Sequence, residues 1–337
     1  MAAHPDLDLP FEDEESPPRR PRRRRGVTFF LVLLFLPVLG VCVLRLGGFD
    51  GNWLTVAVLA LTPYFAGYGL VVALLSLVLR RKMLTVLTLV AALSLGVVLV
   101  PRFLPDGNAL PGGQRVRLLT VNLRLGQAST DALMSLVRDA RVDVLVLQEL
   151  TPGALSGLDS AGVAQLLPYR AVQAEPGASG SGILARVPLR QIVLTGDTRF
   201  ENVAAVVDLS GSTDIEVLSV HVDPPVNSDA DRKRWQSELS ALPGPDSYGR
   251  PRVLAGDFNA TLDHGAMNAV LDRGYNDGGE VAGEGLRPTW SSRNPPGPPV
   301  TIDHVLVDRR VGVVGVSVYG VAGSDHNAVF AELALPR

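Results

Sequence analysis

The chain has 337 residues, enough for one large or two ordinary domains, and its 47% hydrophobic and 19% charged content is too apolar for an ordinary soluble protein. Residues 1–105 hold 11 basic and 7 acidic side chains, net +4, whereas residues 106–337 hold 20 and 27, net −7. The second part has one lysine, Lys233, so it lacks the broad basic surface of a sequence-independent nucleic-acid binder; the single cysteine, Cys42, excludes an internal disulfide.

Residues 1–25 are acidic, then rich in proline and arginine. They are too polar to bury a core and read as a disordered tail, His4 included. Three apolar runs follow, at about 27–46, 53–79 and 83–104. Each is close to the ~20 residues that span a bilayer core, which predicts three transmembrane helices within a membrane domain at 26–105. Pro37 and Pro63 interrupt two of them, which membrane helices tolerate. Cys42 reads as packed or lipid-facing. The first run has the charged start of a secretory signal, but its length and the two runs behind it indicate an uncleaved helix. Basic clusters at 19–25 and 80–82 fall on one side, and the loop at 45–52 is nearly uncharged. Positive charge stays inside, so the N-terminus is expected in the cytoplasm and everything after Pro105 outside it.

From residue 114 strands and helices alternate. Predicted strands lie at 115–123, 142–148, 182–186, 203–208, 215–222, 252–255, 301–307, 311–319 and 328–333, and predicted helices at 130–138, 229–242 and 264–273. Stretches at 243–251, 278–285 and 295–299 read as loops. Many strands with few helices between them suggest a two-sheet α/β sandwich over 106–337.

Polar residues stand at the ends of these apolar strands. Asn122 closes LLTVNL, Glu149 follows DVLVLQ, and His221 closes LSVH. Asp257 and Asn259 follow VLAG, Asp303 lies in TIDHVL, and Asp325 with His326 precedes AVFAEL. A buried carboxylate is costly unless paired or bound to a metal. Any one of these groups could be a cap or a turn; six placements on six strands point to a site. Carboxylates and amides without a thiolate cluster suit a hard cation, Mg²⁺ or Mn²⁺. Such a cation neutralises phosphoryl charge while a carboxylate or histidine deprotonates water. The set is suited to phosphoester hydrolysis. If the strand persists to Asn259, Asp257 and Asn259 share one face.

In order, TVNL (120–123), QE (148–149), SG (181–182), VHVDPP (220–225), GDFNA (256–260), PTW (288–290), IDHV (302–305) and SDH (324–326) resemble the endonuclease/exonuclease/phosphatase superfamily, whose fold is like that of pancreatic deoxyribonuclease. The resemblance covers roughly 115–337. It implies a four-layer sandwich, two mixed sheets flanked by helices. It makes Glu149 the principal metal ligand with Asn122 beside it. Asp257 would orient or deprotonate the water, and Asn259 would hold the nucleophile or a phosphate oxygen. His221 and His326 would contact the scissile phosphate, with His326 a candidate base oriented by Asp303, and Asp325 would lie near the metal.

Other polar groups have plainer readings. His304 points to the opposite strand face from Asp303 and is structural. His264 caps a surface helix or is solvated, and residues 232–234 (Arg-Lys-Arg) form a solvated face. Trp290 packs near the site or stacks on a base.

The superfamily does not choose the substrate. An acidic catalytic half set directly after a membrane span favours a lipid-borne phosphoester over nucleic acid. The layout is also similar to bacterial membrane-anchored members linked to glycopeptide resistance, which implies a phosphate or pyrophosphate on a cell-wall lipid carrier. A membrane-tethered extracellular nuclease is the alternative within the enzyme class, and a non-catalytic binding module the one outside it. The bilayer and the substrate are the partners the sequence indicates; it names no protein partner.

Overall fold

A computed structural model describes residues 22–106, 113–209, 213–226, 228–292 and 296–336, with side chains from Arg25 onward. Of the tail expected over 1–25, residues 1–21 lie outside them and 22–25 instead begin the first helix.

The first element, α1 (Arg22–Gly47), is followed by α2 (Trp53–Leu59), α3 (Thr62–Val78) and α4 (Lys82–Leu99), which runs into a 3₁₀ turn at Val100–Phe103. Two helical stretches, Arg25–Gly47 and Lys82–Phe103, are long and apolar enough to cross a membrane, with mean hydropathy 2.9 and 2.6. The expected span at 53–79 is not one helix. It breaks into α2 and α3, which bend by 67°. The cause is local: Pro63 in the first turn of α3 has no N–H to continue the ladder, and Asn52 starts α2 separately with a capping box to Thr55.

The short helix α2 leaves the bundle. Its Val56 is 2% exposed and packs with Trp235, Leu239 and Met267 of the catalytic half. The Trp53 N–H donates to Asp229 at 3.1 Å.

The catalytic half runs β1 (Arg115–Asn122), α5 (Thr130–Asp139), β2 (Val144–Gln148), α6 (Pro152–Ser160), α7 (Val163–Leu166), β3 (Tyr169–Gln173), β4 (Ser181–Ala185), β5 (Leu189–Ile192) and β6 (Ala204–Val207). It continues with β7 (Ile215–His221), α8 (Asp229–Ala241), β8 (Arg252–Asp257), α9 (Gly265–Leu271), β9 (Tyr275–Asp277), α10 (Gly278–Val281), β10 (Asp303–Asp308), β11 (Gly312–Gly320) and β12 (Asn327–Ala334). Strands β3, β5 and β9 fall in stretches too short or too polar to show a strand period. The turn of helix α10 sits in a segment read as loop.

Two mixed six-stranded sheets result, in orders β11-β12-β1-β2-β4-β3 and β5-β6-β7-β8-β10-β9. In each, the central pair is parallel, β1 with β2 and β7 with β8, and the other pairs are antiparallel. The sheets pack through one core that includes Val116, Val144, Val146, Val217, Val253 and Val305. The alternate residues Leu119, Val121, Leu145 and Leu147 face outward under α5, which meets them with Leu133, Met134 and Val137. On the other side Leu218, Val220 and Leu254 lie under Trp235, Leu239 and Met267 of α8 and α9. This is the four-layer sandwich, and it brings the C-terminal ends of β1, β2, β7 and β8 to one edge.

Candidate active site

Between the sheets, just beneath that edge, a buried polar bridge replaces apolar packing. The Gln148 amide donates to Ser219 Oγ at 3.1 Å and to Thr120 Oγ1 at 3.3 Å, and Ser181 Oγ donates to Ser219 Oγ at 2.8 Å. Four strands from both sheets are thereby fixed in register directly under the site. Gly256 has φ +147, and a Cβ there would lie 2.1 Å from the Val220 carbonyl oxygen, so β7 and β8 approach closely only because this residue is glycine.

Seven of the eight predicted site residues converge at this edge. Asn122, fully buried, donates from Nδ2 to Glu149 Oε1 at 3.0 Å and to Asp257 Oδ2 at 3.1 Å, and its Oδ1 accepts from the Arg124 N–H at 2.8 Å. The other Glu149 oxygen accepts from the Leu125 N–H. His221 Nε2 stands 3.8 Å from Glu149 and 3.9 Å from Asp257, and His326 Nε2 stands 3.7 Å from Asp257. Those separations are too long for hydrogen bonds, so the rings face the carboxylates without consuming them. Asp303 holds His326 Nδ1 with both oxygens at 3.0 and 3.1 Å. Asp257, Asp303 and His326 bring ligand atoms within 4.8 Å of one another.

Asn259 reaches the site differently from expectation. Strand β8 ends at Asp257, and Asn259 sits at φ +47, so the two do not share a strand face. Asp257 Oδ1 accepts the Asn259 N–H at 2.9 Å, closing a local turn that breaks the strand, and Asn259 Nδ2 donates to the Val222 carbonyl at 2.8 Å. Arg124, Leu125 and Glu149 are also left-handed, at φ +49, +53 and +55. Four non-glycine residues in that region at one site mark backbone strain held by the surrounding hydrogen bonds. Asp325 is the outlier of the eight: it turns to the rim, 3.7 Å from Arg124 Nε.

Burial and charge set the protonation states. Burial, reinforced by the positive His326, lowers His221 to about 3, so it is neutral. Burial and then the Asp303 charge push Asp257 up to about 7. For His326 burial acts downward, but the charges of Asp303 and Asp257 outweigh it and push the ring up to about 10, so it is an imidazolium.

Several contributors carried no sequence signal. The Phe200 ring stacks on His221, centroids 4.2 Å apart at 14°, and Arg199 lies 5.5 Å over Phe200. Asn202 Oδ1 accepts the His221 N–H at 2.7 Å. Thr289 Oγ1 accepts the N–H groups of Ile302 and Asp303, both at 3.0 Å, and Ser324 Oγ donates to the Asn122 carbonyl at 2.8 Å. The PTW and SDH motifs contained the last two, yet their contacts are long-range and invisible in a string.

His304 is structural as expected, buried between Asp277 Oδ2 and the Ala260 carbonyl at 2.8 Å each. His264 is not on the surface: it is 2% exposed, bonded at 2.9 Å to both the Thr261 N–H and the Val56 carbonyl, because α2 covers it. In the 232–234 cluster Lys233 and Arg234 are exposed as expected, whereas Arg232 is partly covered. Arg232 donates to the Asp50 carbonyl and Arg234 pairs with buried Asp223.

Residues 119–326 match the family model described as Endonuclease/Exonuclease/phosphatase family. The chain belongs to that family. Members are metal-dependent phosphoester hydrolases, and the acidic group this chemistry needs is in place here. The family fold is also seen in an endonuclease/exonuclease/phosphatase from Beutenbergia cavernae DSM 12333 (19% identity, TM-score 0.52, 66% of this chain and 72% of that one). It is seen again in D. rerio TDP2 complexed with single strand DNA product (19% identity, TM-score 0.51, 65% of this chain and 99% of that one). No curated protein matches the chain.

The donor set fits a divalent cation. Glu149 and Asp257 pair with no arginine or lysine among the described residues, and oxygen donors surround them without a thiolate.

Proposed function

We propose that this family member is a membrane-anchored hydrolase using Mg²⁺ or Mn²⁺, acting outside the cytoplasm on a phosphate or pyrophosphate carried by an envelope lipid. The observation that carries this reading is the position of the site against the membrane helices. Trp290 bridges in antiparallel fashion to His326 on one side and to Val300 on the other. The neighbouring Pro299 carbonyl accepts from Tyr64 Oη of α3 at 2.7 Å. Two interstrand spacings, about 10 Å, therefore separate His326 from the segment that the membrane helix holds.

Glu149 and Asn122 would hold the cation, Asn122 through Oδ1 once its amide turns, with Asp257 alongside. When bound, the cation would supply Lewis-acid neutralisation of phosphoryl charge. Asp257, facing the rings of both His221 and His326, is the residue placed to orient and deprotonate water. His326, an imidazolium braced by Asp303, would donate to a phosphoryl oxygen and stabilise its developing charge, a role its charge suits better than that of base. Neutral His221 and Asn259 would position the phosphate.

A nuclease is the second reading, favoured by the likeness to the TDP2 structure with its DNA product. The −7 charge and single lysine of the catalytic half weigh against it. A non-catalytic module is weaker still, since every expected polar position is filled. One panel separates the three: full-length chain in detergent with Mg²⁺, offered plasmid DNA, RNA, a prenyl pyrophosphate and a phospholipid. Hydrolysis of the lipid substrates, abolished in Glu149→Ala, is expected. DNA cleavage lost in that variant would make it a nuclease, and inactivity with retained metal binding would make it a binding module.

A further inference from the structure

The break between α2 and α3 opens a small cleft of about 70 Å³ that communicates with solvent. Ala60, Pro63 and Tyr64 form one wall, and Leu262, Leu286 and Pro288 stand opposite. We infer that this cleft seats the first segment of the apolar chain, next to its phosphate, of a membrane lipid whose phosphoester is cleaved at the site; the inference rests on the lipid reading above.

Three observations place that chain here. The elbow wall is continuous with the lipid-facing side of α3, where Leu70, Val71 and Leu74 are 49%, 63% and 61% exposed. A chain lying along α3 therefore meets the cleft without crossing polar surface. The opposite wall runs straight into the catalytic edge: Pro288 precedes Trp290 by two residues, Thr301 at the cleft precedes Asp303 by two, and Leu262 follows Asn259 by three. At about 3.3 Å per extended residue, cleft and catalytic groups are on the order of 10 Å apart, a reach that only the phosphate-proximal part of the chain can cover. Finally, the acidic group at the cleft is already engaged within the protein. Arg102 pairs with both oxygens of Asp263 at 2.9 Å, and Arg45 pairs with the same carboxylate at 2.9 Å. With Asp263 engaged in this way, the lining left to an occupant includes the apolar side chains of Ala60, Pro63, Leu262, Leu286 and Pro288.

Ala60, the C-terminal cap of α2 in ordinary helical geometry, accepts a larger side chain without backbone strain. The test uses full-length protein in mixed micelles, with a long-chain prenyl diphosphate and the water-soluble bis(4-nitrophenyl) phosphate as paired substrates. Wild type should favour the prenyl substrate. Ala60→Trp should raise its KM by roughly 10- to 200-fold, the range one hydrophobic pocket contact discriminates, and leave the soluble substrate within about twofold. Leu286→Trp, filling the cleft from the other wall, should repeat that split, and the soluble activity reports folding of both variants. Unchanged kinetics on both substrates, or equal losses on both, would assign the cleft to packing between the helices and the domain and overturn the inference. A wild type that does not prefer the prenyl substrate would instead fail the lipid reading itself.

Discussion

His221 is held by groups far from it in the sequence. Phe200 covers its ring, Asn202 takes its N–H, and the following Asp223 is clamped by Arg199 at 2.8 Å and Arg234 at 2.8 Å. The stacked ring pair is worth roughly 0.5–1.5 kcal/mol. Phe200→Ala should therefore lower kcat about two- to tenfold with KM little changed, and Phe200→Tyr should restore it; a rate indifferent to the ring would deny Phe200 a positioning role. His326→Ala should cost on the order of 10²–10⁴-fold in kcat. A near-wild-type rate would remove His326 from the chemistry. Neither Phe200 nor Asn202 was legible in the string, because a residue between β5 and β6 reveals its target only when the sheet closes. His304 makes a different prediction. Burial acts to lower it, but the Asp277 charge and hydrogen bond raise it above 6.5. The folded imidazolium is favoured over the unfolded one, so its contribution to stability is full below about 6.5 and fades as pH rises through the raised folded value. Melting temperature should fall from neutral to alkaline pH, and Asp277→Asn should flatten that slope; an unaltered slope in the variant would exclude the pair as its source.

The elements most exposed to misreading were those at the junction. Sequence hydropathy made 53–79 a single span, yet α2 spends its buried face on the catalytic half, and the Asp50 carboxylate accepts the N–H groups of Gly265 and Ala266 at the start of α9. Hydropathy records how apolar a side chain is, not whether lipid or a protein core receives it. Around that junction Asp263 is 2% exposed and pairs with Arg45 and Arg102 together. Removing one partner of a buried ion pair leaves the others uncompensated, at about 3–5 kcal/mol. Asp263→Ala should lower the melting temperature of the full-length protein in detergent by several degrees. If the melt is unmoved, the triad does not fasten the two halves.

At the scale of the whole molecule, Arg45 at the end of α1 and Arg102 just after α4 meet on that one carboxylate, so α1 and α4 end on the same face, where the catalytic layers sit. With α3 returning between them, this arrangement supports the proposal that the N-terminus and the catalytic half lie on opposite sides of a bilayer. A C-terminal reporter active only outside the cytoplasm should work, and a silent one beside an active cytoplasmic reporter would reverse the orientation. The shared core also means that residues 106–337 alone would expose Leu239 and Met267 and leave His264 without the Val56 carbonyl, which is why the assays above use the full chain.

The sequence by itself determined most of the strands (not β3, β5 or β9), the family and the residue types at the site. Apolar strands ending in Asn122, Glu149, His221 and Asp257 are local patterns, readable wherever period and burial coincide. Only the tertiary structure decided that Asn259 arrives through a left-handed turn, that Asp325 faces Arg124, that Phe200 covers His221 and that α2 belongs to the catalytic core. Each of these depends on contacts between distant segments, whose free energy exists only once the two sheets and the N-terminal helices have closed on one another.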